Sequence, residues 1–454
     1  MSLFSVSSLL QCISFRAQRL SCENNKLFYI GFVLLYIKTI ISETSVFVLP
    51  DSIDALLLIG SATFFFLHCV QYYRAHPDKV HTKVIYAVVV VLVFLAGNYM
   101  LTGNTSQLMA FIFIVSVSFG VEKRGFVSFW FKVSACLFIG MVFIYAVLYM
   151  MGNPLATSVV RMEDENRIRF SFFFNHPNGA ANMAMLLVGA WLYLNLDKGL
   201  KAMHYVIALL VALFVLCTTD SRTSALLAAM LVPLFLIYQN TSLFDCKPVR
   251  VAIAILPLVF FAVTYLLAGP LYSLEMGALF TGRVWLWHTT LTNLGITVFG
   301  REFVPTTGLS FYGNWDAAAP TLDSFYAFGL FTMGILASGL FCWAVYRSVR
   351  AARGDEAAFL PLLVVLLIHG FTESGVLAAA ISFPLAFLAI ALRSKKEGGP
   401  VSIHALGKQG EASNDSAVSV SYQGDNLYED AELYVYIYTR YLMIAPVSLR
   451  WGCC

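Results

Sequence analysis

The sequence predicts an all-α, polytopic membrane protein with about twelve transmembrane helices, and three observations predict it. The chain is 59% hydrophobic and 12% charged, where soluble domains carry roughly a quarter charged residues. Its apolar residues come in unbroken runs, such as VIYAVVVVLVFLAG from Val84 and VAIAILPLVFFAVTYLLAG from Val251. Lysine and arginine then alternate from one short loop to the next, as the positive-inside rule demands of a helical membrane protein. Composition excludes a soluble enzyme and a disordered or collagen-like chain. The runs also exclude a β-barrel, which needs ~10-residue stretches of alternating polarity.

A span needs ~20 apolar residues to cross ~30 Å of hydrocarbon. Expected helices run over 27–42, 53–73, 84–101, 107–121, 126–151, 179–196, 203–217, 222–239, 250–269, 324–346, 357–371 and 374–392. With a cytoplasmic amino terminus, the inner segments hold 18 lysines and arginines and the outer ones hold 6. Both termini are therefore expected in the cytoplasm. Residues 1–26 read as a cytoplasmic lead-in, and 27–392 as the transmembrane domain. Residues 393–454 read as a partly disordered cytoplasmic tail, polar and linker-like before turning apolar near its end. The 9 cysteines are scattered without CxxC or metal-ligand spacing, so they read as small buried hydrophobes. No cleavable signal, P-loop, glycine fingerprint, internal repeat or nucleic-acid signature is visible.

Two outer connections, 152–178 and 270–323, are too long to be turns. They are rich in aromatic and apolar residues, which favours order over disorder. Val284, Trp287, His288, Leu291 and Leu294 fall at helical spacing and predict an amphipathic helix at the outer interface. All six outer basic residues are arginine: Arg161, Arg167, Arg169, Arg222, Arg283 and Arg301. Guanidinium suits bidentate binding of phosphate or carboxylate. Cations held outside against the topological rule need a reason, and an anionic ligand on the outer face is one.

Four motifs could carry chemistry. In Asn175-His176-Pro177-Asn178, Asn178 is placed to cap the helix from Gly179. That sets His176 beside a helix amino terminus, where free N–H groups favour an anion; the bland alternative is an interfacial aromatic. In Thr218-Thr219-Asp220-Ser221-Arg222, Asp220 or Ser221 serves as an N-cap, and Arg222 either pairs with Asp220 or faces a lipid-linked phosphate. Arg283 and Trp287 are four apart and placed to stack, whereas interfacial anchoring alone also explains the tryptophan. Asp323-Ser324-Phe325-Tyr326 opens a helix, with Asp323 as N-cap. His369 and Glu373 flank the last outer turn, and Glu373 has no evident partner in the sequence.

HPNGAANMAMLLVGAW (176–191), DSRTSALLAAM (220–230), TGRVWLW (281–287), FGRE (299–302) and LDSFYAFGLFTMG (322–334) occur in an order that resembles the O-antigen ligase/polymerase superfamily. Within it the chain is most similar to Wzy-type capsular or exopolysaccharide repeat-unit polymerases. The resemblance is carried by about 160–375, and by the earlier helices only through topology. It implies a GT-C-like fold and a metal-independent glycosyl transfer without cofactor on the outer face of the bacterial cytoplasmic (inner) membrane. Donor and acceptor would be oligosaccharides on undecaprenyl diphosphate, with a flippase and a chain-length regulator as pathway partners. Carried over by motif, the residues are His176 and Asn178, Arg222, Arg283, Asp323 and Tyr326, with Ser324 where polymerases commonly have asparagine. Arg169 and Arg301 join them as substrate-binding residues. His176 or Asp323 would serve as base, while Arg222 and Arg283 would clamp the diphosphate. Two rival functions remain at this level: a ligase passing glycan to another acceptor, and a transporter of lipid-linked oligosaccharide or solute. Few charges lie mid-span, which disfavours transport.

Overall fold

The computed structural model describes residues 25–44, 49–77, 82–103, 105–153, 155–156, 159–161, 164–279, 282–301, 322–378 and 380–392. The expected lead-in up to residue 24, the tail from 393, and 302–321 of the second long connection lie outside the described residues.

Helices lie over each of the first ten expected segments. They are α1 (Lys26–Ser42), α2 (Asp51–Ala75), α3 (Thr82–Thr102), α4 (Thr105–Ser118), α5 (Lys123–Met150), α6 (Pro177–Asn195), α7 (Ala202–Thr219), α8 (Arg222–Asn240), α9 (Lys247–Ala268) and, after two shorter helices, α12 (Phe325–Ala351). Among the described residues, seven helices are long and apolar enough to cross a membrane. This is a polytopic all-α protein. The short helices are α10 (Leu274–Leu279), α11 (Arg283–Leu294) and α13 (Leu360–His369). The one sheet among the described residues is the antiparallel pair β1 (Val159–Arg161) and β2 (Asp164–Arg169).

Hydropathy marks these helices but does not say which of them touches lipid, since lipid tails and a protein core are equally apolar. The structure decides it. In the apolar stretch of α6, 61% of residues are buried inside the protein, against 17% in α2 and α5. α6 is the central staff. It carries Ala180, Ala181, Ala184, Gly189 and Ala190 among its buried positions, small residues that let neighbouring backbones approach. A second knot stacks Phe28, Phe32, Phe65, Phe113 and Phe126 between α1, α2, α4 and α5.

Two expected helices come out differently. α12 is interrupted by a π turn over Gly329–Met333 and breaks at Gly334, which sits at φ +84°. The break strands backbone groups that water would otherwise satisfy, and each finds a partner in 297–301 or α3. Ile335 and Leu336 N–H donate to the carbonyls of Thr297 and Val298, at 3.1 Å each. The Arg301 N–H donates to Thr332, at 3.0 Å. The Asn98 amide of α3 donates to Met333 at 3.1 Å and also to Phe299. So part of the second long connection is packed against a broken helix. Further along, 374–392 is not α-helical: it holds the 3-10 segments Gly375–Leu377 and Phe383–Leu392. The latter is buried from Phe383 to Ala391, with the Leu388 carbonyl taken by Ser348. A tighter helix rises ~2.0 Å per residue, so ten residues cover more depth than an α-helix would.

Candidate functional site

One end of the bundle collects helix termini whose loops carry the charged residues. The carboxyl ends of α1, α7, α9 and α13 meet the amino ends of α6, α8, α11 and α12 there. At the end of α1, the carbonyls of Ser42 and Glu43 accept from the Asn175 side chain and backbone, at 2.8 Å each. The turn before α6 is strained: Phe172 and Phe173 are buried at φ +48° and +69°, where bulky L residues rarely sit. Tyr145 packs edge-on against both rings, at 5.3 and 5.1 Å. That turn delivers His176 and Asn178 to the rim.

The helix caps differ from expectation, and the difference frees the chemistry. α6 starts at Pro177, so His176 is the N-cap, and its Nδ1 accepts the Asn178 backbone N–H at 3.2 Å. Asn178, expected as the cap, instead has its side chain free to bridge. Its Oδ1 accepts from Arg169 at 2.9 Å, and its Nδ2 donates to Glu373 at 2.8 Å. At α12 the cap is Ser324, whose hydroxyl accepts from Ala327 N–H. Asp323 is thereby left to meet Arg283 at 3.4 Å. Asp220 ends α7 in the left-handed region at φ +49°, a geometry a short aspartate tolerates. Ser221 holds the N-cap place of α8 but gives its hydroxyl to Ser224, at 3.1 Å.

Arg169 closes the end of α7. Its Nε donates to the Thr219 carbonyl at 2.7 Å, while the Phe170 N–H takes the Thr218 carbonyl at 2.8 Å. Helix carboxyl ends leave such carbonyls unpaired, and a guanidinium suits them. Arg283, on the first turn of α11, reaches Asp323 and also Glu373, at 3.8 Å. The result is a chain of polar contacts: Thr219, Arg169, Asn178, Glu373, Arg283, Asp323. It joins five segments of the sequence spread from 169 to 373.

Glu373, to which the sequence assigned no partner and no role, is the hub. Its side chain is 15% exposed, and burial lifts its carboxyl from 4.5 to about 7. Arg283, the Asn178 hydrogen bond and Arg169 oppose that rise, and Asp323 adds to it. A carboxyl at that value changes protonation at neutral pH. His176 is pushed the other way, below the usual histidine range, by lost hydration first and then by Arg169 and Arg283 against Asp323. With Nδ1 accepting from a backbone N–H, the neutral ring carries its proton on Nε2 and presents a donor. The only sequence signal for Glu373 was its rarity, as an acid on the arginine side of a chain with few charges.

The remaining expected residues are placed as follows. Arg222 is exposed at the amino end of α8, with Asp220 3.7 Å away, so the local ion pair is present. Tyr326 is fully buried and its hydroxyl donates to the Leu367 carbonyl at 2.8 Å. It packs between Phe260 and Phe261 rather than facing the site. Arg301 is tied through its backbone to Thr332, and its side chain makes no bond to the cluster among the described residues. The amphipathic α11 is present, but docked: Val284 and Trp287 are buried against Leu267, Ala268, Leu322, Ala327 and Phe331. Trp287 lies edge-on to Phe371 at 5.6 Å, so Arg283 turns to the carboxylates and does not stack on it. His288 is structural, bonded to the Ala268 carbonyl at 2.8 Å and stacked on Tyr272. Among the described residues no group of three or more His, Cys, Asp or Glu is placed to hold a metal ion.

No family model, no curated protein and no solved structure matches this chain.

Proposed function

We propose that this chain is a glycosyltransferase that polymerises undecaprenyl-diphosphate-linked oligosaccharide repeat units into a capsular, exo- or O-antigen polysaccharide. In this reading it is a GT-C-like bundle of about twelve spans in the bacterial cytoplasmic membrane. Both termini are cytoplasmic, and the charged cluster lies on the outer face. The observation that carries the reading is the convergence of Arg169, Asn178, Glu373, Arg283 and Asp323 at one end of an otherwise apolar bundle.

The chemistry follows from those groups. An acceptor sugar hydroxyl attacks the anomeric carbon of the donor repeat unit. A new glycosidic C–O bond forms as the C–O bond to the lipid diphosphate breaks, and the diphosphate leaves with the electron pair. The hydroxyl proton passes to Glu373, whose raised carboxyl suits a base working near neutrality. Asp323, already paired with Arg283, holds that guanidinium in place. His176, with Nε2–H outward, is a donor to the substrate rather than a base. Arg222, exposed at the start of α8, meets the departing diphosphate, and Arg283 is the second cation of the clamp. Preorganised cations aimed at developing charge stabilise a transition state without reorganisation.

Purified full-length protein in lipid nanodiscs, given lipid-linked repeat units, tests this. A ladder of product lengths is expected. A single transfer to a different acceptor would make it a ligase, and the absence of any covalent product would point to a transporter.

A further inference from the structure

Beneath the charged cluster lies a second polar chain that the mechanism does not use. His369, the last residue of α13, is 4% exposed, and its Nε2 lies 2.6 Å from Asn182 Oδ1. The same oxygen accepts from Ser224 at 2.8 Å, and Ser224 accepts from Ser221 at 3.1 Å. Asn182 follows Asn178 by four residues, so both project from one face of α6. Asn178 grips Glu373 and Asn182 grips His369: two rungs from one helix onto one turn.

The backbone joins the rungs. The His369 carbonyl accepts from Thr372 N–H and Glu373 N–H at 3.0 Å each, and from the Thr372 hydroxyl at 3.2 Å. The Phe325 N–H then donates to both Gly370 and Glu373 carbonyls, at 2.8 and 3.1 Å. An amide oxygen carries no proton and only accepts, so the imidazole Nε2 is the donor to Asn182. Glu373 itself is faced by Arg283 on α11, Asp323 ahead of α12, Arg169 on β2 and Asn178 on α6. None of these fixes the backbone from which it projects.

We infer that His369 is a positioning residue: its Nε2–H bond to Asn182 fixes the 369–373 turn and so aims the Glu373 carboxylate at the substrate. A ring needed only for packing would be served by phenylalanine, without the cost of a buried polar nitrogen. The inference rests on Glu373 as the base, and its test has a readout that needs no turnover.

His369→Phe, His369→Gln and Asn182→Ser are compared with wild type in nanodiscs. Infrared pH titration follows the carboxyl band identified as Glu373 by its loss in Glu373→Gln. In His369→Phe the turn loosens and hydrates, so the band should titrate at lower pH. Its kcat should fall by up to about 100-fold, the scale of a misaimed group, with KM little changed. His369→Gln, which keeps an N–H donor, should restore both, and Asn182→Ser should behave like His369→Phe. An unmoved titration in both His369→Phe and Asn182→Ser, or His369→Gln as impaired as His369→Phe, would overturn the inference. If the titration moves as described but Glu373→Gln still polymerises normally, the positioning stands and the base assignment falls.

Discussion

Glu373 and His176 show how one site drives an acid and a base in opposite directions. Lost hydration raises the carboxyl to about 7 and lowers the imidazole, because each resists its charged form. If Glu373 is the base, it works only when ionised. The rate should therefore climb as pH rises through about 7, and Glu373→Gln should abolish polymer while leaving the protein inserted. Arg283 favours the ionised form, so Arg283→Ala should move the acid limb of the profile to higher pH as well as lowering the rate. A downward move would refute that coupling. The same shift sets a stability trend. A folded-state carboxyl raised from 4.5 to about 7 stabilises fully below 4.5, and loses that contribution as pH rises through 7. Glu373→Gln, uncharged throughout, should therefore melt higher than wild type at about pH 8, by a margin of order 3 kcal/mol, with the gain vanishing near pH 4. Thermal unfolding across pH checks the sign.

The broken helix α12 tolerates little added bulk. Gly300 and Gly334 both have positive φ, at +82° and +84°, and their backbones nearly touch. A Cβ at Gly300 would lie 2.2 Å from the Thr332 carbonyl oxygen, and one at Gly334 2.2 Å from the Gly300 nitrogen. Backbone rather than flexible side chain stands in the way. Left-handed strain alone costs an alanine about 1–2 kcal/mol, and the clash adds to it. Gly300→Ala and Gly334→Ala should thus each reduce the yield of monodisperse protein after extraction, while Gly339→Ala, with open space around it, should not. Asn98→Leu removes the amide that satisfies the Met333 and Phe299 carbonyls. The loss should be about 1–3 kcal/mol per stranded carbonyl, read as a lower melting temperature with the same pH trend as wild type.

At the scale of the whole molecule, both ends of the bundle hold part of their charge in contacts within the protein. At the end opposite the site three basic residues are held by the protein itself. Arg250 is buried and donates to the carbonyls of Phe244, Val349 and Ala352 and to Asp245, while Lys123 pairs with Glu356 and Arg124 with Asp197. The site end leaves Arg222 in the open. If the site faces outward, an impermeant thiol reagent on intact cells should label a cysteine placed at Ser273 and spare one placed at Lys198, in a background without reactive cysteines. The reverse pattern would invert the proposed topology.

The sequence by itself determined the class of molecule, the place of the first ten helices, the amphipathic α11 and most of the charges that meet at the site. Those features follow from hydropathy runs and from the rarity of charge, both local properties of the chain. Only the tertiary structure decided what the charges do. It moved the caps to His176 and Ser324, which released Asn178 and Asp323 to bridge. It broke α12 at Gly334, because segment 297–301 was there to satisfy the exposed backbone. It buried Tyr326 among aromatic rings and set Glu373 among two arginines and an aspartate that lie 50 to 204 residues away in the sequence. A carboxyl's working pKa depends on hydration and on neighbours across space, and neither is written in the residues beside it.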